Sequence, residues 1–291
     1  MSEATIGVIG GSGIYAMEGL ENVERLELTT PFGAPSDAYV LGTIAGRRVA
    51  FLPRHGVGHR LTPTEVPSRA NIHGFKQLGV RYLVSASAVG SLREEIAPGH
   101  VVVPDQFIDR TRGRQAESTF FGRGVVAHVQ LADPFCPLLA RALVEAARSV
   151  GATVHTGGTY VCMEGPAFST RAESHLYRSW GAHVIGMTNL QEAKLAREAE
   201  LCFATLALAT DYDCWHVAHD DVQIEQVLEV LAANVDLARR TVAALVPRLP
   251  EPFPSTSCPC PRALEHAIIT DRALIPADVR RDLAPIAGRY L

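Results

Sequence analysis

The chain has 291 residues, of which 47% are hydrophobic and 20% charged, and its formal net charge is −4 at pH 7. That length holds an ample core and fits one α/β domain or two small ones. The charge leaves no basic footprint for nucleic acid, and no apolar run nears the roughly 20 residues of a membrane span. The N-terminus lacks a charged stretch followed by an apolar one, so a cytoplasmic protein is expected.

In chain order, Thr5 to Ile9 reads as a buried strand ending in Gly10-Gly11-Ser12-Gly13. Val40 to Leu52 reads as a hairpin turning at Ala45-Gly46. Val66 to Leu78 is expected to be a helix, with Pro67 in its first turn and Gly79 after its end. Val80 to Val84 is a strand opening into the small residues Ser85 to Gly90, and Val101 to Val103 is a short one. Residues 110–127 carry little periodicity and read as a loop. Leu138 to Val150, Thr170 to Arg178 and Leu190 to Glu200 read as helices. Thr153 to Cys162, Val184 to Met187 and Leu201 to Thr210 read as strands, the last uncharged and so buried on both faces. Ile224, Val227, Leu228, Leu231, Val235, Ala238, Val242 and Leu245 recur at helical spacing and predict one long amphipathic helix. A Pro/Ser/Cys-rich joint over 249–261 leads to a tail with a strand-like piece at Ala267 to Thr270 and a last helix from about Pro276. The alternation of strands and helices predicts an α/β fold, a three-layer mixed β-sheet with helices on both sides. The tail is too short to fold alone and must pack on the body or on a neighbouring subunit.

Six cysteines do not make a disulfide framework at this length. Cys136, Cys162, Cys202 and Cys214 are scattered and read as reduced, small hydrophobes. Cys258-Pro259-Cys260 is a thiol pair expected to stay reduced in a cytoplasm. Zinc would need further ligands at regular spacing, and only His266 lies close, so no metal is expected.

Asp211 and Asp213 follow the most apolar strand, where open α/β sheets place ligands. One carboxylate can hold a polar ligand edge, and the other, if its pKa is raised, can deliver a proton. The plainer reading is a turn whose Asp bonds nearby backbone. The loop at Gly10 offers backbone N–H groups and the Ser12 hydroxyl to an anion. It is not a dinucleotide fingerprint, because Ala16 stands where the third glycine belongs, and it carries no Walker lysine. Arg54-His55 can hold a phosphate by a guanidinium fork and a ring donor. Ser85, Ser87 and Gly90 offer a second phosphate wall. Phe168 can stack on a planar ligand, although core filling is the commoner use of an aromatic. Met187-Thr188 offers an amide and a hydroxyl at a strand end, and His128 is a lone histidine in a loop.

Assembled, these residues closely resemble the trimeric purine nucleoside phosphorylase family. The resemblance rests on Gly-Val-Ile-Gly-Gly-Ser-Gly-Ile (7–14), Thr-Pro-Phe-Gly-Ala-Pro-Ser-Asp (30–37), Arg-His-Gly (54–56), Gly-Ser-Leu-Arg-Glu-Glu-Ile (90–96), Asp-Gln-Phe-Ile-Asp-Arg-Thr (105–111), Glu-Gly-Pro-Ala-Phe-Ser-Thr-Arg-Ala-Glu (164–173) and Ala-Thr-Asp-Tyr-Asp-Cys-Trp (209–215). The last motif looks like the adenine-selective branch. The resemblance implies a single nucleoside phosphorylase domain over 1–291, with 250–291 as a C-terminal extension. It implies reversible phosphorolysis of S-methyl-5′-thioadenosine to adenine and 5-methylthio-ribose 1-phosphate. Inorganic phosphate is then a co-substrate, with no cofactor and no metal. Ser12, Arg54, His55, Ser87, Ala88 and Thr188 would hold phosphate, and Met187 would contact the ribose. Phe168, Ser169, Ile185, Val89 and Gly90 would line the base pocket. Asp211 and Asp213 would read adenine, with Asp213 as the acid. Ile224 and Val227 would border the 5′ substituent, and His128 would reach across from a neighbouring subunit of a homotrimer.

Ser12 and Ser87 stand where the family commonly has Thr, and both keep the hydroxyl. Gly186 stands where Asn is common, and Asn189-Leu190-Gln191 replaces a Thr-Val-Pro-like stretch, which bears on how the ribose or 5′ group is held. The rival readings are a phosphorylase of another purine nucleoside, such as adenosine, methylthioinosine or a 5′-halogenated analogue, and a nucleoside-binding relative without turnover.

Overall fold

The computed structural model describes residues 4–11, 13–16, 19–216, 224–253 and 258–291, with residues 224–228 described as backbone alone. Its strands are β1 Ile6–Gly10, β2 Glu21–Leu26, β3 Tyr39–Ile44, β4 Arg47–Pro53, β5 Tyr82–Ser91, β6 Val101–Val103, β7 Gln106–Arg110, β8 Val154–Thr156, β9 Thr159–Met163, β10 Val184–Gly186 and β11 Cys202–Asp211. Its α-helices are α1 Ser68–Gln77, α2 Pro137–Ser149, α3 Arg171–Ser179, α4 Asn189–Glu198, α5 Ile224–Leu245, α6 Ala277–Asp282 and α7 Ala284–Ala287.

All the strands join one mixed sheet, in the order β2-β3-β4-β1-β5-β10-β9-β7, with β11 pairing both β5 and β6, and β6 pairing β8. Side chains alternate across β11. Cys202, Ala204, Leu206 and Leu208 enter a core shared with α2 and α5, through Leu139, Leu143, Leu237, Ala238 and Val242. Phe203 enters the opposite core with Ile72 and Phe75 of α1 and Ala193, Leu195 and Ala196 of α4. Period-two alternation between two helical layers yields the three-layer α/β architecture expected of such a strand. The tail lies on the α1/α4 side, where Leu264, Ile275, Val279, Leu283 and Ile286 are buried. Each such side chain removed from water is worth about 1.5–3 kcal/mol before ordering costs. The segment therefore packs on its own body.

β5 is longer than its sequence suggests. The stretch Ser85 to Gly90 reads as a small-residue turn, yet it is strand throughout, because β11 pairs it in parallel from Cys202↔Tyr82 to Asp211↔Gly90. The opposite edge changes partners part-way along. β1 pairs it parallel only as far as Ile9↔Ser85, and β10 pairs it antiparallel only at Ile185↔Gly90 and Val184↔Ser91. Between them, on that edge, residues 86–89 pair with no described strand. A sheet that forks in this way opens a crevice at the fork, as at the switch points of other open α/β sheets.

Three smaller expectations change. The strand expected over 153–162 is broken in two at Gly157-Gly158. The strand expected at Ala267 to Thr270 is only a single bridge, Ala127↔Ile268. The edge strand β2, Glu-Asn-Val-Glu-Arg-Leu, escaped the pattern because it is exposed and carries three charges, as edge strands do to resist further pairing. The cysteines are not scattered in space: Cys136, Cys202, Cys258 and Cys260 meet where the start of α2, the start of β11 and the tail converge. The fold thus supplies the further ligands that the sequence spacing lacks. Among the described residues, no helix is long and apolar enough to cross a membrane.

Candidate active site

The crevice begins at Arg54, the residue after β4. Its backbone N–H donates to the Gly10 carbonyl at 2.8 Å, fastening the end of β4 to the end of β1. Its side chain is 4% exposed. Nε donates to Glu192 Oε1 at 2.5 Å, Nη2 to Glu192 Oε2 at 3.2 Å and to Ser85 Oγ at 2.6 Å, and Nη1 to the Ala86 carbonyl at 3.0 Å. Among the described residues Nη1 donates only this once, so its second N–H has no acceptor among them. The guanidinium thus stands at the point where β5 loses β1. Ser85 is not a phosphate wall. It is fully buried, accepts from Arg54 and from Asn189 Nδ2 at 2.6 Å, and donates to Glu192 Oε2 at 2.6 Å.

Asn189 in turn accepts from Thr205 Oγ1 at 2.5 Å. The stretch that departs from the family pattern thus serves a buried network, with Asn189 joined to Arg54 through Ser85. Thr188, just before Asn189, is nearly buried, and its side chain makes no capping bond to α4. Ser87 and Ala88 lie on the open edge of β5, Ala88 exposed and Ser87 nearly buried.

Gly186 has a steric cause. A Cβ there would sit 1.9 Å from the Tyr160 hydroxyl, whose oxygen is itself 3.4 Å from Ser87 Oγ. Tyr160 therefore fills the room a side chain at 186 would need and brings a polar atom to the crevice. Residue pattern alone does not reveal this, because Tyr160 sits in a strand as an ordinary β-forming residue.

His55 donates from Nδ1 to the Leu61 carbonyl at 2.8 Å and stacks on His59. Burial, with the Arg54 charge beside it, pushes its pKa down to about 4. The ring is neutral at pH 7, and with the Nδ1 proton committed to Leu61 its Nε2 accepts rather than donates. That reverses the role expected from the sequence.

The far end of the crevice holds the acids. Asp211 closes β11, and Asp213 opens a one-turn helix with φ 52°. Asp211 Oδ2 accepts from Thr210 Oγ1 at 2.6 Å and Oδ1 from the Asp213 amide at 2.8 Å. Asp211 is therefore the turn-binding aspartate of the plainer reading, and its bond sets the aim of Asp213. Asp213 differs: its Oδ2 is buried without a hydrogen-bond partner among the described residues. Burial raises its pKa first of all, the Ser174 hydroxyl and Cys214 amide oppose this, and the charges of Asp211 and Glu173 add to it. Gly90 keeps the region open. A Cβ there would meet Asp211 Oδ1 at 3.1 Å, Ile185 Cγ2 at 3.2 Å and Asp213 Cβ at 3.4 Å.

Gly90, Ile185, Asp211 and Asp213 thus gather at one spot, with Val89 buried next to Gly90. Ser169 joins them through its carbonyl, which accepts from Cys214 Sγ at 3.3 Å. The neighbouring Phe168 is 82% exposed, so it is not core filler. The Met187 carbonyl accepts from Arg114, a buried arginine that also donates to Glu164 Oε1 and the Glu164 carbonyl. His128 stands apart. It lines a separate cavity of about 280 Å³ with Gln130, Asp133, Arg197, Arg262 and His266. Ser12 and the side chains of Ile224 and Val227 lie outside the described residues.

The chain is similar to known proteins over nearly its whole length. The model of the phosphorylase superfamily matches residues 5–247. The chain belongs to that superfamily. An S-methyl-5′-thioadenosine phosphorylase of Geobacter sulfurreducens is 59% identical over 99% of this chain and 100% of its own. One of Chloroflexus aurantiacus is 60% identical over 100% and 99%. Among solved structures, a methylthioadenosine phosphorylase from an antarctic soil metagenomic library is 48% identical, with a TM-score of 0.93 over 98% of this chain and 99% of that one. The methylthioadenosine phosphorylase of Schistosoma mansoni, in complex with adenine, is 36% identical with a TM-score of 0.79 over 84% and 92%.

Proposed function

We propose that this chain catalyses the reversible phosphorolysis of S-methyl-5′-thioadenosine to adenine and 5-methylthio-ribose 1-phosphate. The buried, unpartnered Oδ2 of Asp213 carries the reading, with the names of the relatives fixing the substrate class. In this reaction the C1′–N9 bond breaks and a phosphate oxygen bonds C1′. The sugar becomes cation-like while charge builds on the purine. Asp213, kept protonated by its dry surroundings, passes its proton to N7. Phosphate sits against Arg54 Nη1 and the open edge of β5 at Ser87 and Ala88, with Thr188 and Ser12 completing its shell and His55 Nε2 accepting from a protonated phosphate oxygen. The anion stabilises the sugar cation and then attacks it, so the protein chiefly orients groups and preorganises charge.

Met187 supports the ribose, and Val89, Gly90, Ile185, Phe168 and Ser169 flank the adenine. Asp211 fixes the turn and faces the 6-amino group. Ile224 and Val227 border the methylthio group, and His128 serves a neighbouring site in a homotrimer. The exposed Phe168 at the base end fits a pocket completed by a bound nucleoside or an adjoining subunit. The product serves methionine and purine salvage in the cytoplasm.

The test is adenine release from S-methyl-5′-thioadenosine with and without inorganic phosphate. Strict phosphate dependence, with the sugar recovered as its 1-phosphate, supports the reading. Release at the same rate without phosphate makes the chain a hydrolase and rejects it.

A further inference from the structure

Four of the six cysteines leave their separate places in the sequence and meet. Cys136 is the residue before α2, Cys202 begins β11, and Cys258 and Cys260 flank Pro259 at the start of the tail. Their sulfurs all lie within 4.8 Å of one another, and Cys202 Sγ is 3.4 Å from Cys258 Sγ. All four are buried, none more than 7% exposed. A tetrahedral zinc–thiolate centre has Zn–S bonds of about 2.3 Å, which puts its sulfurs about 3.8 Å apart. The observed spacing brackets that value, whereas a disulfide requires about 2.05 Å. Plain hydrophobic packing has no need to converge four thiols from three chain segments on one point.

The surroundings suit an anionic cluster. Four thiolates around a dication carry a net charge of −2, which burial would penalise without compensation. Arg197, itself 8% exposed, points Nη1 at Cys260 Sγ from 3.9 Å and is held there by the Asp133 carbonyl. Cys136 sits at the positive end of α2, beside the Leu139 amide. Outer groups of this kind orient and tune metal thiolates.

We propose that Cys136, Cys202, Cys258 and Cys260 form a tetrathiolate zinc site that fastens the C-terminal segment to the sheet. Ligation displaces the thiol protons to solvent, and the bound ion joins the tail to both α2 and β11. The cavity that His128 lines also takes Pro259, between two of these cysteines, and Arg262 and His266 just beyond them into its wall. The site is independent of the nucleoside crevice and stands whether or not the chain is a phosphorylase.

The experiment is metal analysis of the whole chain, purified under reducing conditions and dialysed with zinc, together with titration of the metal-free form with cobalt(II). One zinc per chain, and thiolate-to-cobalt charge-transfer and tetrahedral bands saturating at one equivalent, are expected. Cys136→Ser and Cys258→Ser should lose the bound zinc, while Cys162→Ser, outside the cluster, keeps it. Zinc removal should lower the thermal midpoint and expose the tail to protease. The cobalt spectrum of the unaltered chain keeps the test valid if a serine variant fails to fold. No zinc uptake by the reduced chain, or zinc retained by both serine variants, overturns the proposal. So does a disulfide among these four in protein kept from oxidants.

Discussion

Asp213→Asn preserves the shape of the side chain, and Asn tolerates the left-handed backbone of φ 52° at this position. What it removes is the transferable proton. General acid catalysis contributes about 10²–10⁴-fold, or about 2.7–5.5 kcal/mol of barrier at ~1.36 kcal/mol per decade. The expected kcat/KM for phosphate-dependent adenine release therefore falls by about 10²–10⁴, with phosphate binding little changed. Stability supplies the control. The folded pKa of Asp213 is raised, so the folded chain holds this proton after the unfolded chain has lost it. Its stabilising effect is complete below the ordinary carboxylate value and is lost as pH rises through the raised one. At pH 7.5 the variant, which has no buried acid to ionise, should be at least as stable as the parent. Denaturant unfolding at pH 5 and 7.5, beside an adenine-release assay, reads both quantities. A folded variant within tenfold of parental kcat/KM would refute the acid role.

Other substitutions probe the rest of the crevice. Glu192→Gln leaves the buried Arg54 charge without its carboxylate and should destabilise by about 3–5 kcal/mol in denaturant unfolding; a loss under 1 kcal/mol rejects the pair as a structural strut. Gly186→Ala drives a methyl into the Tyr160 hydroxyl and should cost about 1–3 kcal/mol, part of which returns in Gly186→Ala/Tyr160→Phe. Asp211→Asn weakens the hold on the Asp213 turn and should shift kcat/KM from 6-amino toward 6-oxo purine nucleosides; unchanged selectivity denies it that place. His55, with its pKa near 4, contributes stability that rises with pH between about 4 and 6.5, because there the unfolded chain binds the proton and the folded one does not. His55→Gln should flatten that part of the stability profile.

The sequence displayed the framework because periodicity carries it. The uncharged run of β11 and the helical stripe of α5 were legible from residue spacing alone. The continuation of β5 through Ser85 to Gly90 was not, because small residues suit turns and buried strands alike, and only pairing with β11 decides between them. Arg54 and Asp213 could be picked as candidates, but their partners could not. Glu192 lies 138 residues from Arg54, in a helix whose composition looks like that of any solvated one. Asp211 and Asp213 are the same residue type two positions apart. An Asp that bonds the amide two residues on was legible as the plainer reading of this turn, but spacing does not say that Asp211 takes that bond while Asp213 keeps a buried Oδ2 without a partner among the described residues. The cysteine cluster was hidden for a similar reason, since 66 residues separate Cys136 from Cys202 while the fold makes them neighbours.

The fork in the sheet explains why these chemistries share one crevice. Arg54 reaches β5 at the Ala86 carbonyl, and the acid turn abuts it at Gly90. Four strand steps separate them, about 13 Å at ~3.3 Å per residue. From Ala86 to Val89 that edge of β5 pairs with neither β1 nor β10, so the strand serves as a ruler between the two ends. Its two ends are fixed by different means. At the end proposed for the anion, Glu192 offsets the Arg54 charge, so an oxyanion bound there would meet a nearly neutral pair and depend on aligned N–H and hydroxyl groups more than on net positive charge. At the base end, burial raises the pKa of Asp213, and the charges of Asp211 and Glu173 add to the rise. A cation placed beside Asp213 would ionise it and abolish the acid, so pairing Arg54 with Glu192 at the opposite end satisfies both needs within one small space.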